Sequence, residues 1–571
     1  MKKKVAIAIA GAGLLLGSAG PAPHRAAADY SVIIRGGTIY DGSGGQPYVG
    51  DVALKGDKIA YVGPHAPGRA ARIVDAAGMA VSPGFINMLS WATESLIADG
   101  RGESDTYQGV TLEVMGEGDS MGPLTPEMKR LGIKRQGDIK YPISWTTLGQ
   151  YLEWLTRKGI TPNVTSFVGA TTVRVHELGE KDVDPTPTQL QRMRALVRQA
   201  MEEGAVGVGS SLIYAPATYA ETPELIAITK EAAKCGGMYI SHMRDEGPKL
   251  LEAMDELVTI SRQSGAPAEI YHYKQAGLEN WGKIDAAIAK VNDARAQGLR
   301  ITADMYTYPA SSTGFDAAFP TWMQDGGLEA WVKRLKDPAV RARAIAEMTG
   351  PKGTENAKLV VDEPDKVLLV GFKTAKLKPL TGKTLGQVAR ERGKSAAETA
   401  ADLIVEDGTR IQVVYFSMSP DNVKREVGLP WMSFGSDAAS QAPEGVFLKS
   451  STHPRAYGNV ARLLGFYVRD QHAATLPDAI RRLTSLPATN LGIRQRGWLK
   501  PGFYGDVVVF NPATIRDNAT FEKPQQLASG VEDVFINGVQ VMKDGKHTGA
   551  KPGRFVRGPG WTGWPGGGAC H

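Results

Sequence analysis

VSPGFINMLSW, residues 81–91, reads as an apolar strand running into a turn of small residues. A short apolar run bounded by turn signals is the pattern of a strand covered on both faces. With 81–88 as the first, seven further candidates follow at 109–115, 164–170, 205–212, 237–242, 268–273, 300–306 and 432–437. Helical patterns lie between most of them, such as PELIAITKEAAKCGG at 223–237 and KIDAAIAKVNDARAQG at 283–298. Eight strands alternating with helices predict an α/β chain, a (β/α)8 TIM-like barrel over 83–498. The interval before the last strand is long. Residues 322–410, rich in Lys, Arg and helix formers, read as an inserted subdomain.

Both ends of the chain follow a different rhythm. YSVIIRGGTIYDGSGG and DVALKGDKIAYVG near the start, and GWLKPGFYGDVVVFNP and VEDVFINGVQVMKDGK near the end, alternate with Gly, Asp and Asn turns. They read as short strands, and predict one β-sandwich assembled from 29–82 and 499–550. The closing WTGWPGGGACH belongs to an irregular tail, 551–571.

At 571 residues, 42% hydrophobic and 22% charged, the chain can bury a large core, which excludes wholesale disorder. The net charge of +6 is thinly spread, with no basic run beyond the N-terminus, so nucleic acid finds no footprint. Residues 1–28 have the form of a cleaved signal peptide: Lys2, Lys3 and Lys4, the apolar VAIAIAGAGLLLGSAG, then Ala26-Ala27-Ala28. Export to a periplasm, with no stable membrane anchor, is the expectation. Only Cys235 and Cys570 occur. They could pair in an oxidising compartment, or Cys235 could serve as a small buried hydrophobe.

In such a barrel the chemistry gathers at the C-terminal ends of the strands. The fifth candidate ends at His242, the sixth at His272 and Lys274, the eighth at Asp437, and the second at Glu117 and Asp119. A lone histidine is usually structural. Two of only nine, at consecutive strand mouths with carboxylates at two others, point to a metal. Imidazole and carboxylate suit zinc, with a position left open for water, and Asp437 is the candidate general base. Lys274 and Arg455 are placed either to bind an anionic group or to form structural ion pairs. His453, beside Pro454, either lines the pocket or stabilises its loop.

Ten strings carry a resemblance in order along the chain: IIRGGTIYDGSG, SPGFIN, QGVTLEVMGEG, GVGSSLIYAPATYAETPELIAI, YISHMRDEG, ENWGKIDAAI, ADMYTYPASSTG, SFGSDA, THPRAYGN and GWLKPGFYGDVVVFNP. From about residue 30 to 560 the chain resembles the amidohydrolase superfamily, within it the N-acyl-D-amino-acid deacylase (D-aminoacylase) branch. The resemblance implies a barrel with a composite sandwich and an insertion before the last strand. It also implies one tightly held zinc, bound by a residue after the second strand and by His242 and His272, with Asp437 as base. The expected substrate is a small N-acyl amino acid, with Tyr214 and Tyr306 lining its pocket. A homo-oligomeric state is left open.

The chain departs from that branch twice. The first-strand His-x-His pair, which serves a second, weak metal site, is replaced by Asn87 and Leu89. The second-strand ligand is commonly a cysteine in GNCG, and here the string is GEGD, with Gly118 at the cysteine position. Glu117 then takes the ligand role, with Asp119 as the alternative. Two other readings stay open: hydrolysis of a dipeptide, cyclic imide, lactone or aryl amide, and a non-catalytic binding protein.

Overall fold

The computed structural model of the protein describes residues 1, 4, 28–350 and 353–570. The expected signal peptide, apart from residues 1, 4 and 28, lies outside the described residues. Among them no helix is long and apolar enough to cross a membrane.

The stretch at 81–91 forms two strands rather than one. Ala80–Pro83 belongs to one sheet and Phe85–Asn87 to another. Gly84 lies between them, where an added Cβ would sit 2.1 Å from Thr111 Oγ1. Only a hydrogen fits there, so the chain can pass from one sheet to the next against its neighbour.

Ala80–Pro83 lies inside a nine-stranded mixed sheet that joins both chain ends. It pairs in parallel with Tyr30–Ile39 on one side and antiparallel with Val507–Phe510 on the other. Val32, Ile34, Val52, Leu54, Val507, Val509 and Phe535 share one apolar cluster. Their alternation along the strands is what leaves one face of the sheet to the core.

Phe85–Asn87 (β1) opens a series of parallel strands: Val110–Met115 (β2), Asn163–Ser166 (β3), Gly207–Ser211 (β4), Met238–His242 (β5), Ala268–Ile270 (β6), Ile301–Met305 (β7) and Met432–Phe434 (β8). Each pairs in parallel with the next, β3 reaching β4 through its continuation Val168–Gly169. The last also meets the first. Met88 N–H donates to the Phe434 carbonyl at 3.0 Å, and Ser90 and Ala438 form a parallel bridge. The pairing is therefore cyclic. Helices Pro187–Glu203, Thr222–Lys234, Leu250–Ser264 and Ile284–Ala296 follow β3 to β6. The first is delimited by its own sequence, with a Thr186–Gln189 capping box and Gly204 in the left-handed region at its end.

Between β7 and β8 the chain builds a separate antiparallel sheet of Ser311–Gly314, Gln412–Tyr415 and Val367–Gly371. It shares its own core with the surrounding helices, including Phe315, Trp331, Leu369, Leu403 and Val413. The tail runs beneath the N-terminal ends of β3 and β4. Val556 N–H donates to the Val164 carbonyl and Gly558 N–H to that of Gly204, each at 2.8 Å. Cys570 is joined to Cys235 by a disulfide, and Cys235 is itself fully buried.

Candidate metal centre

Glu117 stands between two glycines in the loop that leaves β2. Gly116 and Gly118 have φ of 103° and 72°, and an added Cβ would meet the Phe167 carbonyl oxygen at 2.3 Å and Ser211 Oγ at 2.5 Å. No other residue suits either place. His242 ends β5. His272 lies just past β6 with φ of 34°, its N–H held by Asp304 Oδ1 at 2.9 Å. Asp437, past β8, has φ of 48°. Left-handed backbone is uncommon for side chains other than glycine and concentrates at functional sites. His272 and Asp437 are two of seven such residues among those described.

These elements bring three donors together. Glu117 Oε1 lies 3.1 Å from His242 Nδ1 and 3.0 Å from His272 Nε2. The two imidazoles stand nearly perpendicular, at 83°, with centroids 4.3 Å apart. All three residues are buried, and their donor atoms lie within 4.8 Å of one another. Burial alone would raise the Glu117 carboxyl, but the hydrogen bonds from His242 and His272 outweigh it and hold it well below the usual carboxylate range. Burial lowers His242. Burial and the Lys274 charge also push His272 down, but Glu246 and Glu117 carry it up to about 10. One carboxylate oxygen and two imidazole nitrogens at this spacing could hold a metal ion.

The Trp91 indole N–H links the cluster to Asp437, lying 2.9 Å from Glu117 Oε2 and 3.1 Å from Asp437 Oδ1. Asp437 Oδ2 pairs with Arg455 Nη2 at 2.8 Å. Burial raises the Asp437 carboxyl, and Arg455 opposes that shift.

Glu246 backs the cluster. Its Oε1 lies 3.0 Å from His272 Nδ1 and 2.7 Å from Lys274 Nζ, and its Oε2 lies 3.6 Å from His242 Nε2. Lys274 Nζ also lies 2.7 Å from His272 Nδ1, so Glu246 and Lys274 together hold the ring whose Nε2 faces Glu117. Lys274 is thus engaged in a buried ion pair rather than left free for an anion. Glu246 and Trp91 escaped the reading of the sequence. Glu246 is four residues past His242 in a string, MRDEG, that looks like an exposed charged loop. The signal was Lys274 itself, since a lysine among apolar strand residues demands a counter-charge.

The cluster opens into a cavity of about 760 Å³ that Tyr214, Tyr306, His453 and Arg455 also line. Tyr214 packs edge-on against His242, 5.2 Å between centroids, and shares a hydrogen bond of 2.8 Å with Thr313 Oγ1. The Arg455 guanidinium lies 4.4 Å over the Tyr306 ring. Arg455 Nε and Nη1 and the Tyr306 hydroxyl are buried without a hydrogen-bond partner. His453 fixes that arginine: its Nδ1 accepts the Arg455 backbone N–H at 2.9 Å, and its Nε2 meets the Ala310 carbonyl at 3.0 Å. Asp119 lines the cavity outside the three-donor cluster, and desolvation raises its carboxyl to about 6. Arg410, also missed, sits on the wall 5.0 Å over the Tyr214 ring.

A strand-end cluster of this kind defines a class of hydrolase, and comparison with known proteins agrees. A family model described as the amidohydrolase family matches residues 72–542, so the chain belongs to that family. It is similar to the D-aminoacylase of Alcaligenes xylosoxydans xylosoxydans, 30% identical over 92% of this chain and 97% of the relative. An N-acyl-D-aspartate deacylase of the same organism is 31% identical over 93% and 96%. A crystal structure of D-aminoacylase superposes with a TM-score of 0.76 at 29% identity, covering 92% of this chain and all, 100%, of the other. An N-acyl-D-glutamate deacylase from Bordetella bronchiseptica, solved with zinc and a phosphonate inhibitor, gives 0.75 at 27% identity over 92% and 99%.

Proposed function

We propose that the protein is an exported zinc hydrolase that cleaves N-acyl-D-amino acids to a carboxylate and a free amino acid, on a (β/α)8 barrel. The observation that carries this reading is the convergence of Glu117, His242 and His272 beside Asp437, at the C-terminal ends of four different parallel strands. One carboxylate oxygen and two imidazole nitrogens form a donor set that suits zinc, and they leave a position open. With Asn87 a poor ligand for zinc and Leu89 none at all, a single tight site is expected. A zinc ion held by Glu117, His242 and His272 would supply Lewis acidity for activating water and the acyl carbonyl.

The remaining roles belong to the chain. Asp437 accepts a proton from the attacking water and returns it to the departing nitrogen. Glu246 and Lys274 hold the His272 ring in place, and Trp91 holds the Glu117 and Asp437 carboxylates side by side. The unpartnered nitrogens of Arg455 and the Tyr306 hydroxyl receive the amino acid's carboxylate, the bidentate recognition for which a guanidinium is suited. The D-specificity of the named relatives supports this choice of substrate over other amides.

Metal analysis together with hydrolysis of N-acetyl-D-methionine and its L-enantiomer tests the reading. About one equivalent of zinc and a strong preference for the D-substrate are expected. Less than about a tenth of an equivalent in active protein refutes the metal site, and equal rates on both enantiomers refute the substrate.

A further inference from the structure

Asn87 and Leu89 do not point into the metal cluster; they hold the turn that carries Asp437. The Asn87 carboxamide is fully engaged. Its Oδ1 accepts the Ser436 backbone N–H at 2.7 Å, and its Nδ2 donates to Ser436 Oγ and to Glu113 Oε2, both at 2.9 Å. The Ser436 backbone N–H can only donate, and so it fixes which way the amide faces: the carbonyl oxygen turns to Ser436 and the NH2 to Glu113 on β2 and to the Ser436 hydroxyl. Leu89 acts through its main chain. Its carbonyl accepts the Asp437 N–H at 2.9 Å, and its backbone lies so close to Gly435 that an added Cβ there would come within 2.6 Å. Two successive amides, those of Ser436 and Asp437, are thus tied to Asn87 at the end of β1 and to Leu89 two residues past it. The residue they carry has φ of 48°, a conformation that persists only when its surroundings determine it.

We infer that Asn87 is a positioning residue for the general base. It holds Ser436 so that Asp437 keeps its left-handed backbone and presents its carboxylate between Trp91 and Arg455. The inference rests on the proposed role of Asp437, and it assigns to the first strand a mechanical part in place of a metal-binding one. Displacing a reacting group by about 1 Å can cost 10²-fold in rate, so the clamp acts on turnover rather than on binding.

Asn87→Ala and Asn87→Thr test it. Threonine has nearly the volume of asparagine and suits a strand, so it guards against simple collapse, but its hydroxyl stops short of the Ser436 amide. The expected result is a fall in kcat of about tenfold or more, with KM and zinc content within about twofold of the parent. Hydrogen exchange over residues 434–439 reads the clamp independently of turnover and should quicken about tenfold or more. Unchanged kcat in folded variants, zinc lost in proportion to kcat, or unchanged exchange would each overturn the inference. Zinc content and turnover of the parent, measured alongside, report separately on the proposed function.

Discussion

Replacing Asp437 by asparagine separates chemistry from architecture more cleanly than any other single change. Asparagine tolerates left-handed backbone better than most residues, so a φ of 48° is no obstacle. The side chain keeps its shape, and one oxygen remains to accept either Arg455 Nη2 or the Trp91 indole, now at 2.8 and 3.1 Å. What is lost is the proton acceptor. General-base catalysis is worth about 10²–10⁴-fold, or about 2.7–5.4 kcal/mol of barrier at 1.36 kcal/mol per decade. The three donors at Glu117, His242 and His272 are untouched, so zinc content should not change. Trp91 keeps Glu117 Oε2 as an acceptor and Arg455 Nη2 keeps the Ser312 carbonyl, so the loss is the charge-assisted bond to Arg455, which costs about 1.5–3 kcal/mol and lowers Tm by a few °C. A less encumbered Arg455 binds an anionic substrate at least as well, so KM should not rise. The assays are steady-state kinetics on an N-acyl-D-amino acid, metal analysis and a thermal melt. A kcat within about threefold of the parent, where the loss of a base predicts at least 10²-fold, would refute the role of Asp437. Loss of zinc would show that Asp437 belongs to the metal cluster instead.

Glu117→Ala should leave two imidazoles without their shared oxygen, so zinc falls below about a tenth of an equivalent and turnover is lost. Exhaustive chelation of the parent should reproduce that loss, and added zinc should restore the parent but not the variant. Cys570→Ser opens a link between residues 335 apart in sequence and should cost about 2–4 kcal/mol, read as a lower Tm. Reducing agent should lower the Tm of the parent equally and leave that of the variant unchanged. Glu426 is buried and its carboxyl is pushed up to about 8 by desolvation. A raised folded-state value means that its neutral form is favoured, so stability is full below the ordinary glutamate range and declines as pH rises towards 8. Glu426→Gln should therefore gain Tm over the parent at pH 8 and show little difference near pH 4, and a gain at the acid end would contradict the assignment.

The donors at the cavity were legible because histidine is scarce in this chain and two fall at the ends of consecutive apolar runs. Glu117 was legible from its place after β2, although reaching the two imidazoles depends on the glycines beside it, whose backbone angles no spacing reveals. Glu246 was not legible, because its partners come from β5 and β6 and its own neighbours are charged. The parallel strands stood out as apolar runs, but 81–88 looked continuous because nothing in VSPGFIN distinguishes a bend from a strand until Thr111 is packed against Gly84. The small sheet of 311–314, 367–371 and 412–415 was missed for a related reason. Its pairing is long-range, and strands such as Ser311–Gly314 have little apolar content of their own.

The third member of the cluster is a carboxylate, in a chain whose two cysteines are joined to each other and leave no free thiol among the described residues. A thiolate at a metal is open to sulfenic acid formation, to alkylation and to mispaired disulfides. A carboxylate undergoes none of these. A metal bound at Glu117 would therefore survive peroxide and thiol-directed reagents that strip a cysteine-ligated site, and refolding under oxidants could not trap a ligand in the wrong covalent bond.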